Sequence, residues 1–402
     1  IYLYLVLAVS AALAAFGLVS LFRVWLGSET FNGVNLALPL VWGGLWVYHW
    51  HVVESQSWTG RTADPVRRLY VYVTSWYGLG MLAVGVGIVL WRALLQAYDS
   101  LFATELLISG SPGLWGDATA SGLAVAVAGG AFWWWHWHRV VRDDAGSELR
   151  QVYLHLFTIL PGSAAVMVPL TMILFRILQM VIGQPDSPAS DHFQMIPAAL
   201  AALVVGIGLW GYHWAVARQE AQARTAQARA AQTQSTGAAD GLPAARRVYR
   251  YLAAATGLVA TAAGVVILLG AAIGLLEFLG GKTLVAGFWR RDALALAVSL
   301  LLVGVPMWAY HWFGVQREAH SAGAQELNAP SRRIFVYLIF GAAVLLVLGN
   351  LSAVLFMVLR DALEGALDAM VIQDAKWSLA MVLMAGVVSV YYWLVLKEDR
   401  EA

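Results

Sequence analysis

The chain has 402 residues, of which 60% are hydrophobic and only 12% charged, whereas soluble domains carry about a quarter charged residues; this composition excludes an ordinary soluble protein. A formal net charge of +1 gives no reason to expect nucleic acid as a partner. With no cysteine, disulfides, thiolate metal sites, iron–sulfur ligation and covalent c-type haem attachment are excluded.

Spanning a hydrocarbon core of about 30 Å takes roughly 20 helical residues. In chain order, nearly uncharged apolar stretches of this length occur at 1–22, 35–53, 69–91, 119–138, 152–175, 194–217, 248–276, 293–315, 334–359 and 377–396. They are continuous rather than alternating, which indicates helices and not barrel strands. The expected fold is therefore an all-α integral membrane protein with ten transmembrane helices, arranged as five parallel two-helix repeats.

The repeat is written in two phrases. The second helix of each hairpin closes on Trp-x-(Tyr/Trp)-His-Trp, with Trp46, His49 and Trp50, then Trp133, His136 and Trp137, then Trp210, His213 and Trp214, then Trp308, His311 and Trp312, and a degenerate fifth copy at Ser389-Val390-Tyr391-Tyr392-Trp393. The first helix opens on a basic-aromatic phrase, as in Arg67-Arg68-Leu69-Tyr70-Val71-Tyr72, Arg150-Gln151-Val152-Tyr153-Leu154-His155, Arg246-Arg247-Val248-Tyr249-Arg250-Tyr251 and Arg332-Arg333-Ile334-Phe335-Val336-Tyr337. Ile1-Tyr2-Leu3-Tyr4 matches the same phrase without its arginines, so an Arg or Arg pair is expected upstream of Ile1. These boundaries divide the chain into hairpins at 1–60, 61–145, 146–217, 246–325 and 326–402, with a cytoplasmic linker at 218–245. That linker is rich in Ala, Gln, Thr and Arg, and the sixth helix is expected to run into it to about Thr233, where Ser235-Thr236-Gly237 ends it.

Most of the 25 Lys and Arg residues lie in the loops between hairpins and at the C-terminus, and the positive-inside rule then places both termini and all the inter-hairpin loops on the cytoplasmic side. Arg23, Arg92, Arg176 and Arg360 mark the opposite boundary. The segments that follow Arg92 and Arg360 are expected to be short helices lying at the external interface. Gly17, Gly78, Gly80, Gly85 and Gly87 are read as close helix packing.

Positions i, i+3 and i+4 share a helix face, so each Trp, His and Trp forms one stripe, and the antiparallel hairpin brings the Tyr-x-Tyr opening to the same depth. The first expectation is a structural clasp in which imidazoles bond to phenols, carbonyls or water. His49, His136, His213 and His311 are also the candidates for axial ligation of haem or chlorophyll, or for a proton pathway, because ionisable groups in membranes are functional candidates by default. No P-loop, HExxH or nucleophile elbow is present, and no catalytic residue, metal ligand or cofactor is assigned. The Arg-Arg-x-(Tyr/Phe)-x-Tyr opening and the Tyr-His-Trp closing resemble a bacterial family of multi-spanning proteins built from tandem hairpins, domain of unknown function 5671, over nearly the whole chain. That resemblance implies no catalytic residue. The expected role is a non-catalytic scaffold or accessory subunit of a larger membrane assembly, with lipid and protein partners; the alternatives are a channel or transporter with a path along the repeat axis, and a haem- or chlorophyll-binding electron-transfer subunit.

Overall fold

The computed structural model describes residues 2–55, 63–102, 114–140, 144, 147–183, 185, 187–232, 244–279, 289–365 and 370–401. Ile1, Arg61, Arg142, Lys282 and the Ser235-Thr236-Gly237 stop lie outside them. Every regular element among the described residues is helical. The long helices are α1 (Tyr2–Trp25), α2 (Gly33–Ser55), α3 (Ala63–Phe102), α4 (Asp117–Trp134), α6 (Leu160–Leu178), α8 (Ile196–Gln232), α9 (Ala244–Leu279), α10 (Trp289–Ala322), α12 (Pro330–Leu363) and α13 (Met370–Glu401), with short α5 (Glu148–Val152), α7 (Ala189–His192) and α11 (Ala324–Leu327). Among the described residues eight helical segments are long and apolar enough to cross a membrane; α2 and α4 are not among the eight. Histidines, indoles and Asn35 dilute the apolar character of α2, and Asp117, Thr119, Ser121, three glycines and two indoles dilute that of α4, whose chain continues as a π-helix over Trp135–Val140.

Two compact units divide the chain, Ile1–Pro169 with Gln194–Ala239, and Leu170–Phe193 with Asp240–Ala402. In the first, α1 packs on α2, α3 and α4, and α3 packs on both α4 and α8. In the second, α9 packs on α10, α12 and α13, and α12 packs on α13. The cores are rich in small side chains. Ala11, Ala14, Ala15, Ala120, Ala124 and Ala128 are buried in the first unit and Ala253, Ala254, Ala295 and Ala297 in the second, beside larger side chains such as Leu7, Leu154, Trp312 and Phe335, while many other Leu, Val and Phe side chains face outward. This inverts the soluble pattern and is what lipid demands: apolar side chains gain nothing by leaving lipid, so helices associate through close packing of small residues. The protein is an integral membrane protein in a lipid bilayer.

Glycine sets the closest approaches. A Cβ on Gly17 would meet Pro39, one on Gly78 would meet Trp133, and one on Gly257 would fall on the backbone of Trp308. In the third closing helix, a Cβ on Gly206 would stand 2.6 Å from the Ala165 carbonyl oxygen. Gly129, Gly206 and Gly304 each stand seven residues, or two turns, before a closing histidine, and each faces the partner helix of its hairpin. Ala385 holds the corresponding place before Tyr392 and is buried. Gly80 has nothing within 4 Å and Gly87 only Val205 at 3.9 Å, so the packing expected of Gly17, Gly78 and Gly85 does not extend to these two.

The expected interfacial helix after Arg92 is instead the last part of α3, which runs unbroken to Phe102. After Arg360, α12 likewise continues to Leu363 and stops at Gly365, whose φ of 68° favours glycine. Nothing in either segment breaks a helix, so continuing the hydrogen-bond ladder avoids the cost of a new nucleus. On the other side, α8 carries on past the apolar stretch to Gln232.

Candidate functional site: an aromatic and arginine layer

The closing and opening phrases meet at one end of the hairpins. Each closing histidine donates its Nδ1 proton to the carbonyl oxygen one turn earlier: His49 to Leu45 at 2.7 Å, His136 to Phe132 at 2.8 Å, His213 to Leu209 at 2.8 Å and His311 to Met307 at 2.9 Å. A carbonyl can only accept, so this bond leaves the lone pair of the neutral imidazole on Nε2. In two hairpins that lone pair receives a tyrosine proton, Tyr70 OH to His136 at 3.3 Å and Tyr249 OH to His311 at 3.1 Å. Tyr70 in turn accepts from Trp46 Nε1 at 2.9 Å. The result is a polarised chain from indole to phenol to imidazole to carbonyl that joins the first hairpin to the second. His136, His213 and His311 are buried and His49 is partly exposed.

The third hairpin departs from this. Tyr153 and His213 have ring centroids 6.3 Å apart without a direct bond, and His213 Nε2 is buried with no partner among the described residues. Here the opening phrase is π-helical over Tyr153–Ile159, facing the π-helical closing phrase of the second hairpin. Trp137 packs against Tyr153, with ring centroids 5.1 Å apart and planes tilted by 31°.

A second set of bonds was not legible in the helical-face argument, which put Trp, His and Trp on one stripe and gave the middle tyrosine of the closing phrase no partner. Trp137 Nε1 donates to Tyr212 OH at 2.8 Å, and Trp312 Nε1 to Tyr391 OH at 2.6 Å. The last tryptophan of one hairpin is thus bound by the middle tyrosine of the next. Of the remaining motif residues, Trp210 and Trp214 stack on each other at 5.9 Å, Trp133 lies edge-on to Tyr212 at 5.5 Å and Trp308 edge-on to Tyr391 at 6.4 Å. The fifth hairpin exchanges two residue types at once: Phe335 stands where the opening has tyrosine and Tyr392 where the closing has histidine, and the two rings are 6.2 Å apart.

Sequence reasoning also missed the carboxylates. Seven residues beyond each of His213, His311 and Tyr392 stand Glu220, Glu318 and Asp399. Arg150 Nε donates to Glu220 at 2.6 Å while its guanidinium lies 4.7 Å from the Trp137 ring centroid, Arg250 pairs with Glu318, and Arg332 grips Asp399 through Nε and Nη2, both at 2.7 Å. Arg332 Nη2 also donates to Gln316, and its side chain is 1% exposed. A further acid lies just past the closing helix: Arg68 pairs with Asp144 at 3.0 Å, and Arg247 with Glu326 at 2.6 Å. The signal was present as an acid two turns past every closing phrase but the first, which has Gln56 there, on the face that returns toward the opening arginine of the same hairpin. The position equivalent to these acids in the second hairpin, Asp143, lies outside the described residues.

The opposite boundary has its own polar contacts. Arg23 pairs with Glu29, which also accepts from Ser20 and Asn35; Arg176 donates to Gln179, which bonds Asp292; and Arg360 pairs with Asp361.

Long apolar helices with small-residue cores and a belt of Trp, Tyr and Arg at their ends define a polytopic helical membrane protein. The chain matches the family described as Domain of unknown function (DUF5671) over residues 68–168, 160–238 and 247–389, and it belongs to that family. Two of these matches start on the second arginine of an opening phrase, Arg68 and Arg247. Neither a curated protein nor a solved structure matches the chain.

Proposed function

We propose that the chain is a non-catalytic scaffold or accessory subunit of a larger membrane assembly, built of five parallel hairpins with the boundaries given above and set in the bacterial inner membrane with both termini cytoplasmic. One observation carries this reading. The chemistry-bearing atoms of the repeated layer are used to hold hairpins together: imidazole Nδ1 on the preceding turn, Nε2 of His136 and His311 on a tyrosine, indole N–H groups on phenols, and arginines on carboxylates. An axial ligand would need a free Nε2, whereas in His136 and His311 that atom is taken. The outward faces carry large apolar side chains such as Leu345, Leu355 and Phe356, which suit lipid or the helices of a partner.

The test is purification from native membranes at native abundance. A stoichiometric protein partner that survives high salt, and an assembly whose amount falls when the chain is deleted, are the expected results. A protein that migrates alone and leaves every other membrane complex unchanged on deletion would refute the proposal, as would a haem or chlorophyll band in its visible spectrum that disappears with substitution of the four histidines.

A further inference from the structure

The junction between the first two hairpins differs from the second-to-third and fourth-to-fifth junctions by one residue type, and a cleft opens there. In those two junctions the last tryptophan of the closing phrase, Trp137 or Trp312, is buried and its indole N–H is held by Tyr212 or Tyr391. The residue at that place in the second hairpin is Trp135, which has no hydroxyl to accept a bond. Trp50 turns instead onto Trp46, with ring centroids 5.8 Å apart and planes at 28°. The space is a cleft of ≈ 530 Å³ lined by Trp46, Trp50, Trp135, Arg67, Arg139 and Glu54.

The cations at this cleft also distinguish it. Arg67, at the place held by Arg150 and Arg332 in the third and fifth hairpins, lines the cleft. Arg139 stands 5.4 Å from the Trp135 ring centroid, and its counterparts three residues past His213 and Tyr392 are Val216 and Val395. Among the described lining residues two guanidiniums stand against one carboxylate, which makes that lining positive.

We propose that this cleft binds an anionic phospholipid, with Arg67 and Arg139 on its phosphate and the three indoles against its glycerol and ester region. The guanidinium fork matches phosphate oxygens in geometry and charge. Indole rings belong at the depth where headgroup gives way to hydrocarbon, and the volume is that of a small-molecule site. From the cleft an exposed apolar stripe, Val47, Leu40 and Leu36, runs along α2 at helical spacing. A soluble phosphate has no use for such a stripe, whereas an acyl chain would cover it.

The experiment uses the full chain in detergent, offered phosphatidylglycerol or phosphatidylcholine, with bound lipid counted by native mass spectrometry. Wild type should retain phosphatidylglycerol with a preference of roughly tenfold or more. R67Q/R139Q should abolish that preference, and R218Q/R317Q, which removes two charges elsewhere, should keep it. W135Y supplies the hydroxyl that Trp50 lacks and leaves both arginines in place; it should close the cleft and also lose the preference. Tyrosine is the residue at 212, 310 and 391, so this variant decides the matter even if the double variant does not fold. Equal retention of the two lipids by wild type, or an unchanged preference in W135Y, would overturn the proposal. So would full displacement of the lipid by inorganic phosphate, which would assign the site to a soluble anion.

Discussion

At the scale of single residues, the layer is an arrangement of obligatory partners. His136 is the clearest case, because its Nδ1 donates to Phe132 and its Nε2 accepts from Tyr70, which itself holds Trp46. A buried polar group deprived of its partner costs about 1–3 kcal/mol. His136→Leu should therefore lower thermal stability in detergent markedly, and His136→Gln, which keeps a hydrogen-bonding side chain, should lose less; equal losses would show that Tyr70 does not depend on the imidazole. Arg332 and Asp399 are a stronger test. The guanidinium is 1% exposed and held at both ends of its fork, so Asp399→Asn leaves a buried charge without its counter-ion and should cost about 3–5 kcal/mol. The exposed pair Lys397 with Glu401, 3.9 Å apart on one helix face, offers the internal comparison: Glu401→Gln should shift the melting temperature by little or nothing.

At the scale of helices, what decides association is how closely two backbones approach. A Cβ at Gly257 would land on the Trp308 backbone, which cannot yield as a flexible side chain can, while one at Gly80 would meet nothing within 4 Å. Gly257→Ala should destabilise the α9–α10 hairpin by about 1–3 kcal/mol, the usual cost of overpacking. Gly80→Ala should be neutral or slightly stabilising, since alanine is the better helix former. A melt of each variant in the same detergent checks both, and a tolerated Gly257→Ala would mean that the two helices are not held at this distance. The same logic explains the π-helical segment of the third opening phrase. Tyr153 lies nine residues before its packing glycine, Gly162, whereas Tyr70 and Tyr249 lie eight before Gly78 and Gly257, and the π-helix over Tyr153–Ile159 accommodates the extra residue while keeping both ends in place.

At the scale of the whole molecule, the basic residues set a testable orientation. With most of the 25 Lys and Arg in the inter-hairpin loops and at the C-terminus, residues 218–245 and Lys397 should face the cytoplasm. Cysteine is absent from the chain, so single cysteines can be placed without background: one at Ala226 should be shielded from a membrane-impermeant maleimide in intact cells and labelled in inverted vesicles. Labelling of intact cells would reverse the topology. The lipid environment itself rests on more than length, because the described helices present many large apolar side chains outward and bury many of their alanines.

Composition, the continuous apolar stretches and the two phrases were enough to determine a helical membrane protein with paired helices, because hydrocarbon thickness and backbone hydrogen bonding leave few alternatives. Helical spacing also placed Trp, His and Trp on one stripe. It could not show that Tyr212 and Tyr391 serve the tryptophan of the preceding hairpin, since that bond depends on the rotation of one helix against another and not on position along either. Nor did it single out Glu220, Glu318 and Asp399, which look like ordinary solvated acids until the opening arginines return beside them. The cleft beside Trp135 was hidden for a related reason. Trp and Tyr are interchangeable as interfacial aromatics in a sequence pattern, and only the packed structure makes the missing hydroxyl matter.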